Sequence, residues 1–313
     1  MSSIFEKFGF AVQAKKEEVI LNNNEDNNKV NINSEKPETT SWLLKTYGDK
    51  IVDMFCKNYS LEGLDKLEDY QKENPDEKYI ISSSHTNNLD APAVLKTFGD
   101  KFKVQLTGES VLLEKLKYLG HRALINLGGR DNFTALDYKE DMNNPIKHGS
   151  FNPENFNELE EKMNEGKTPW LASAPFALDG KMKKASIGPV YLAAKTGASI
   201  IPTALEISGG SLNLEGAKES VKNLVDRSKA IYHIGLPIKM PALDISIIDQ
   251  VLEKRKKGVE ISQEELLKFS NIHNKLKEQA EILGQTISLM MPEENRGYYA
   301  LEETKKRELN LTI

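Results

Sequence analysis

The chain reads as an α/β protein, with a mostly parallel central sheet covered by helices and with helical N- and C-terminal extensions. Three observations predict this. Short β-branched runs alternate with stretches of helical period between Tyr79 and Ile234, the order that builds parallel strands joined by crossover helices. The clearest runs, Tyr79-Ile80-Ile81 and Ser199-Ile200-Ile201, break into small polar residues or proline rather than continuing into a helix. The 313 residues are 39% hydrophobic and 28% charged, an ordinary globular composition and enough chain for one large α/β domain with additions.

Taken in order, residues 1–20 carry Ile4, Phe5, Phe8, Phe10, Ala11 and Val12, broken by Glu6 and Lys7. Such a segment fits a short helix lying on a membrane surface, although more often it docks on its own domain. Residues 22–38 are polar, low in complexity and bounded by Pro37, so they read as a linker. The expected organisation is a segment and linker at 1–38, an α/β domain at 39–241 and a helical extension at 242–313.

Ser41 is a good N-cap for a helix over 41–58, through Trp42, Leu43, Leu44, Tyr47, Ile51, Val52 and Phe55. A second stretch, Leu61 to Glu73, ends in the turn signal Asn74-Pro75-Asp76. A strand follows at Tyr79–Ser84, then a helix at about Ala91–Phe98, a strand at Phe102–Leu106 and a helix at Glu109–Tyr118. Arg122–Leu127 reads as a strand ending at Gly128-Gly129-Arg130, and residues 131–152 as a polar loop. Pro153–Glu165 is a helix with proline in its first turn. Trp170–Ala172, Ser199–Leu205 and Ala230–Ile234 are strands, separated by helices at Ile187–Thr196 and Glu215–Asp226. Beyond Pro241 the chain turns helical, at Ile245–Lys257 and from Ser262 to about Met291. The second of these opens on a capping box formed by Ser262 and Glu265.

Several function classes are excluded by pattern. A net charge of −5 argues against a nucleic-acid partner. The single cysteine, Cys56, permits no intrachain disulfide and no cysteine-built metal site, so residence in the cytoplasm is the default. No run of apolar residues is long enough to span a membrane, and the N-terminus lacks a signal-peptide core. No Gly-x-Ser-x-Gly elbow, phosphate-binding glycine loop or dinucleotide fingerprint occurs, and the histidines do not fall at metal-ligand spacing. His121, His148, His233 and His273 are expected to be structural or surface residues.

The informative stretch is Ser82-Ser83-Ser84-His85-Thr86-Asn87-Asn88-Leu89-Asp90. It follows a strand and leads into a helix, and the open ends of α/β strands are where ligands usually bind. A carboxylate at Asp90 that reaches one ring nitrogen of His85 would fix its tautomer and leave the other nitrogen to take a proton from a hydroxyl. The plainer alternative is that Asp90 caps the helix and His85 is a satisfied loop histidine.

Four further stretches follow this one in order: Leu124-Ile125-Asn126-Leu127-Gly128-Gly129-Arg130, Asp179-Gly180-Lys181, Tyr191–Gly197 and Ile200-Ile201-Pro202-Thr203-Ala204. With His85–Asp90, they resemble the blocks of the glycerolipid acyltransferases, the family of 1-acyl-glycerol-3-phosphate and glycerol-3-phosphate acyltransferases. Met291–Tyr299 resembles the ending of some bacterial members. The resemblance covers about residues 80–300.

It implies that His85 is the general base and Asp90 its orienting carboxylate. Arg130, after Gly128 and Gly129, would grip the acceptor's phosphate, and Pro202 would shape the pocket wall. The donor would be acyl-coenzyme A or acyl-carrier protein, the acceptor a lysophospholipid, and no cofactor or metal would be needed. A peripheral place on the inner membrane face would follow. The third block departs from the family pattern Phe-Pro-Glu-Gly-Thr-Arg-Ser: Ser173 and Phe176 stand where the Glu and Arg belong. Lys181, Lys183, Lys184 or Arg122 would then have to supply the charge, without a planar fork. The alternative is a non-catalytic protein on the same fold that binds lipid or acyl carrier.

Overall fold

The computed structural model describes residues 39–108, 130–136, 154–175, 177, 179–208 and 228–301. The expectations for residues 1–38, the helices at 109–118 and 215–226, the strand at 122–127, Gly128 and Gly129 lie outside them.

A single seven-stranded sheet organises these residues. Its strands are β1 (Cys56–Glu62), β2 (Tyr79–Ser83), β3 (Lys103–Gly108), β4 (Phe133–Ala135), β5 (Lys167–Ala172), β6 (Ser199–Ile207) and β7 (Ser228–Ile234). In space they lie in the order β1-β7-β6-β2-β5-β3-β4. Strands β6, β2, β5, β3 and β4 run parallel, whereas β7 is antiparallel to β6 and carries β1 parallel to itself. The mostly parallel sheet expected from the sequence is therefore present, with two reversed strands at one edge.

The helices are α1 (Trp42–Phe55), α2 (Leu64–Glu73), α3 (Asp90–Phe98), α4 (Glu154–Asn164), α5 (Gly188–Thr196), α6 (Ser246–Lys256) and α7 (Gln263–Leu289). Ser41 caps α1 as expected, its hydroxyl accepting from the Leu44 N–H. The capping box of α7 forms in full, with Ser262 and Glu265 each bonded to the other's backbone N–H. Where α1 crosses α3, Gly48 lets the backbones touch: a Cβ there would lie 2.7 Å from the Leu95 Cβ and 2.9 Å from the Pro92 carbonyl.

Consecutive strand residues divide between two cores, as a sheet buried on both faces requires. Ile81, Trp170 and Ile201 pack with α1, α2 and α3 through Leu44, Leu67, Leu95 and Phe98. Their neighbours Ile80, Leu171 and Ile200 pack on the other face with α4, α5, α6 and α7, through Leu159, Val190, Ile248 and Leu283. The helices after Pro241 thus share the core of the sheet.

Two expectations are corrected. The helix expected over 41–58 stops at Phe55, and residues 56–62 form edge strand β1 against β7. Its mostly exposed residues give no local strand signal, so a partner more than 160 residues away decides its conformation. The polar loop expected from 131 contains β4, three residues paired in parallel with Leu106–Gly108.

Candidate active site

Neighbouring strands β2 and β5 send their chains to opposite faces. From β2 the chain enters α3 on one face and reaches β3; from β5 it enters α5 on the other face and reaches β6. Two crossovers of one handedness that leave in opposite directions must cover opposite faces, and a crevice opens between them at the C-terminal edge. His85 stands at that crevice, two residues beyond β2.

His85 has φ 52°, a left-handed backbone in which it is alone among the described non-glycine residues. Such a conformation costs on the order of 1–3 kcal/mol and persists where surrounding structure enforces it, often at functional sites. Its Nδ1 lies 3.4 Å from Oδ2 of Asp90, at the long end of ion-pair contact. The imidazole is 30% exposed, whereas the carboxylate is 1% exposed. The ring also stands edge-on to Trp170, with centroids 5.9 Å apart.

Asp90 does not occupy the N-cap position. It is the first residue of α3, after Leu89 at the N-cap position, and Leu89 makes no capping bond. Oδ2 of Asp90 instead accepts the backbone N–H of Asn87, upstream of the helix, at 3.0 Å. The positive end of α3 favours the charge at this place, and the nearby imidazole provides a group that can share it. Buried polar atoms without a hydrogen-bond partner gather here: Ser82 Oγ, Ser84 Oγ, Asn88 Nδ2 and Asp90 Oδ1. Elsewhere among the described residues such atoms occur at Glu77 and Gln279. Unsatisfied groups of this kind are rare in folded cores and mark places with work other than packing.

The segment after β5 forms the next wall. Both the backbone N–H and the hydroxyl of Ser173 donate to the Ser83 carbonyl at 2.8 Å, so this fully buried serine braces β2 and offers its hydroxyl to the strand. The Ala177 N–H donates to the His85 carbonyl at 3.3 Å. Beyond it, Asp179 is paired with Lys183 at 2.8 Å, which holds its carboxyl below the usual range. Lys181 and Lys184 are exposed on the same rim, and the Lys184 ammonium lies 5.7 Å from the centre of the Tyr298 ring.

The C-terminal turn completes the enclosure. The Met182 N–H donates to the Asn295 carbonyl at 2.9 Å, and the Asn295 amide donates to the Gly180 carbonyl at 3.1 Å. Met291, Pro292 and Asn295 line a small cavity with Thr86, Asn87 and Leu205. Asn87 and Asn295 fall inside the sequence motifs, where neither residue type nor spacing announces a task for them. Trp170 carried no signal at all, because only the pairing of Trp170 with Ile81 brings it near His85.

Two further expected site residues belong to the sheet and its edge. Pro202 is inside β6, paired with Ser82, and its carbonyl accepts from the Gly235 N–H. Arg130 opens the short turn before β4, and the next residue's carbonyl accepts from the Lys167 ammonium. That turn leads into edge strand β4, and strands β3 and β5 lie between β4 and β2, the strand that leads to His85. Burial pushes the Lys167 ammonium pKa down.

Among the described residues there is no cluster of His, Cys, Asp or Glu that would hold a metal, and no helix long and apolar enough to cross a membrane.

Comparison of the sequence with protein-family models and with curated proteins returned no match. Among solved structures, the chain is similar to a 1-acyl-sn-glycerophosphate acyltransferase, PlsC, from Thermotoga maritima. The two share 17% identity and a TM-score of 0.42, over 77% of this chain and 78% of that one. A likeness of that degree carries no activity from one chain to the other.

Proposed function

We propose that this protein is an acyltransferase that moves a fatty acyl group from a thioester donor to a hydroxyl of a glycerolipid acceptor. The observation that carries the reading is the His85–Asp90 pair: a partly exposed imidazole in a left-handed backbone, with a buried carboxylate 3.4 Å from Nδ1 at the open ends of parallel strands. The ordered blocks of sequence that resemble glycerolipid acyltransferases supply the reaction class.

In this mechanism the Asp90 carboxylate favours the tautomer with the proton on Nδ1. Nε2 of His85 then removes the proton of the acceptor hydroxyl as its oxygen attacks the thioester carbonyl. The tetrahedral intermediate collapses with cleavage of the C–S bond, and the imidazolium returns the proton to the leaving thiolate. An ester and a free thiol result, and no acyl-enzyme is required. Donors of the acyl group would be acyl-coenzyme A or acyl-carrier protein.

For an acceptor bearing a phosphate, such as lysophosphatidic acid, the exposed Lys181 and Lys184 would supply the positive charge. A peripheral position on the inner membrane face would bring the acceptor to this site.

The test is thiol release from acyl-coenzyme A and acyl-carrier protein with a panel of lysophospholipids and simple alcohols. Wild type and His85→Ala are run side by side, with circular dichroism to confirm that both fold. Release that depends on an acceptor and disappears in the variant supports the reading. Binding of lipid or carrier protein without release in wild type would replace it with a non-catalytic carrier on this fold.

A further inference from the structure

We infer that Asn87 is a positioning residue that ties the Asp90 carboxylate, and through it the His85 imidazole, to strand β6; this rests on the proton-transfer role proposed for His85. The loop from Ser84 to Leu89 has no regular structure of its own, yet it must hold His85 at a disfavoured φ of 52°. A backbone of that kind requires outside constraint. Asn87, nearly fully buried, is where the constraint enters.

Its backbone N–H donates to Oδ2 of Asp90 at 3.0 Å, the same oxygen that faces Nδ1 of His85. Its carbonyl accepts the Asp90 N–H at 3.2 Å. Its side-chain amide donates to the Leu205 carbonyl near the end of β6, and to the Thr86 hydroxyl, both at 3.2 Å. Any residue could supply the backbone donor. What asparagine adds is the side-chain link to a strand 118 residues further along the chain, which fixes where that donor stands. Aspartate has the same shape but cannot donate, and it would place a second carboxylate beside Asp90. With one oxygen of Asp90 held by Asn87, the carboxylate keeps its orientation toward Nδ1 while its other oxygen makes no bond.

The consequence is a defined tautomer. Free histidine favours the proton on Nε2, whereas a fixed carboxylate at Nδ1 selects Nδ1–H and leaves Nε2 able to accept a proton. The experiment is a long-range proton–nitrogen correlation spectrum of the ¹⁵N-labelled full chain, with His85 assigned by its loss in His85→Gln. Wild type, Asn87→Ala, Asn87→Asp, Asp90→Asn and Ser262→Ala are compared, together with their thiol-release kinetics.

Wild type is expected to show Nδ1–H at His85, and the two Asn87 variants and Asp90→Asn a shift toward Nε2–H. In Asn87→Ala, kcat falls about 10- to 100-fold with acceptor KM within about twofold, the range seen when a residue orienting a reacting group is lost. Asn87→Asp, which preserves volume, is expected to be no better than alanine. Ser262→Ala removes the remote cap of α7, lowers Tm and leaves both the tautomer and kcat as in wild type.

Nδ1–H retained in both Asn87 variants, or an equal tautomer shift in Ser262→Ala, would overturn the positioning role. Wild type without turnover on any acceptor would instead sink the acyltransferase reading, and the tautomer would still decide the role of Asn87.

Discussion

Trp170 stands edge-on to His85, its ring centroid 5.9 Å from the imidazole and its plane turned by 84°. Its indole N–H donates to the Ser83 hydroxyl at 2.8 Å, so one side chain both braces the end of β2 and walls the imidazole. Trp170→Phe keeps the wall and loses the bond to Ser83, for a cost of about 1 kcal/mol and little change in kcat. Trp170→Ala opens a cavity in the core at a cost of about 3–5 kcal/mol, with a clear loss of turnover. Urea unfolding and thiol release measured together check both. Equal kcat in the two variants would show that the indole does not position His85.

Asp90 carries a buried charge whose value lies in the imidazolium formed during proton transfer. Asp90→Asn keeps the shape and still accepts from Asn87, but it cannot stabilise that cation. A fall in kcat of about 10²- to 10⁴-fold is expected, with Tm unchanged or raised because a buried charge has been removed. A large fall in Tm with kcat preserved would reassign Asp90 to structure alone.

Lys181 and Lys184, exposed in the segment that follows Ala177, are the cations proposed to meet the acceptor's headgroup. The double variant Lys181→Ala/Lys184→Ala should raise the KM of a phosphate-bearing acceptor about tenfold, the loss of one charge-assisted bond, and leave the donor's KM alone. A larger effect from Arg130→Ala would return the phosphate grip to Arg130.

Gly297 allows the C-terminal turn to reach the loop at Gly180–Met182. It has φ +53°, and a Cβ there would lie 2.3 Å from the Met182 carbonyl. Gly297→Ala therefore displaces the turn, lowering stability by about 1–3 kcal/mol and turnover with it. Turnover unchanged despite the lower Tm would separate the turn from the site.

Glu265 joins α7 to α6 through Lys254 at 2.6 Å, and this ammonium, followed by the Ser262 backbone and hydroxyl, pushes its pKa from 4.5 down to about 2. A carboxyl depressed by folding stabilises fully above 4.5 and progressively less as pH falls toward about 2. Thermal melts across that window should show a shallower acid decline in Glu265→Gln than in wild type. Identical slopes would mean that the contact contributes nothing in solution.

The parts of the fold visible in the sequence are those set by neighbours a few residues apart. Ser41 and Ser262 cap helices because each hydroxyl needs only the N–H three residues on. The helix ends at Phe98 and Thr196 and the strand at Ser199 fall within a residue or two of expectation, because period and glycine punctuation are local signals. The spacing of His85 and Asp90 was equally visible, although spacing alone could not tell a helix cap from an oriented acid. The structure adds the bond from the Asn87 N–H to Asp90 and the 3.4 Å approach of the same oxygen to Nδ1 of His85, neither of which spacing announces.

By itself, then, the sequence determined the alternation of strands and helices, the two-sided burial of the sheet and the place of His85 at a strand end. These follow from side-chain period and capping within a turn or two. Only the tertiary structure decided that Cys56–Glu62 is a strand, that β7 runs against β6, that Trp170 walls the imidazole and that the Arg130 turn sits at the far edge. Each of these depends on hydrogen bonds and packing between residues tens to hundreds apart. Such contacts become favourable only when the whole sheet has closed around them.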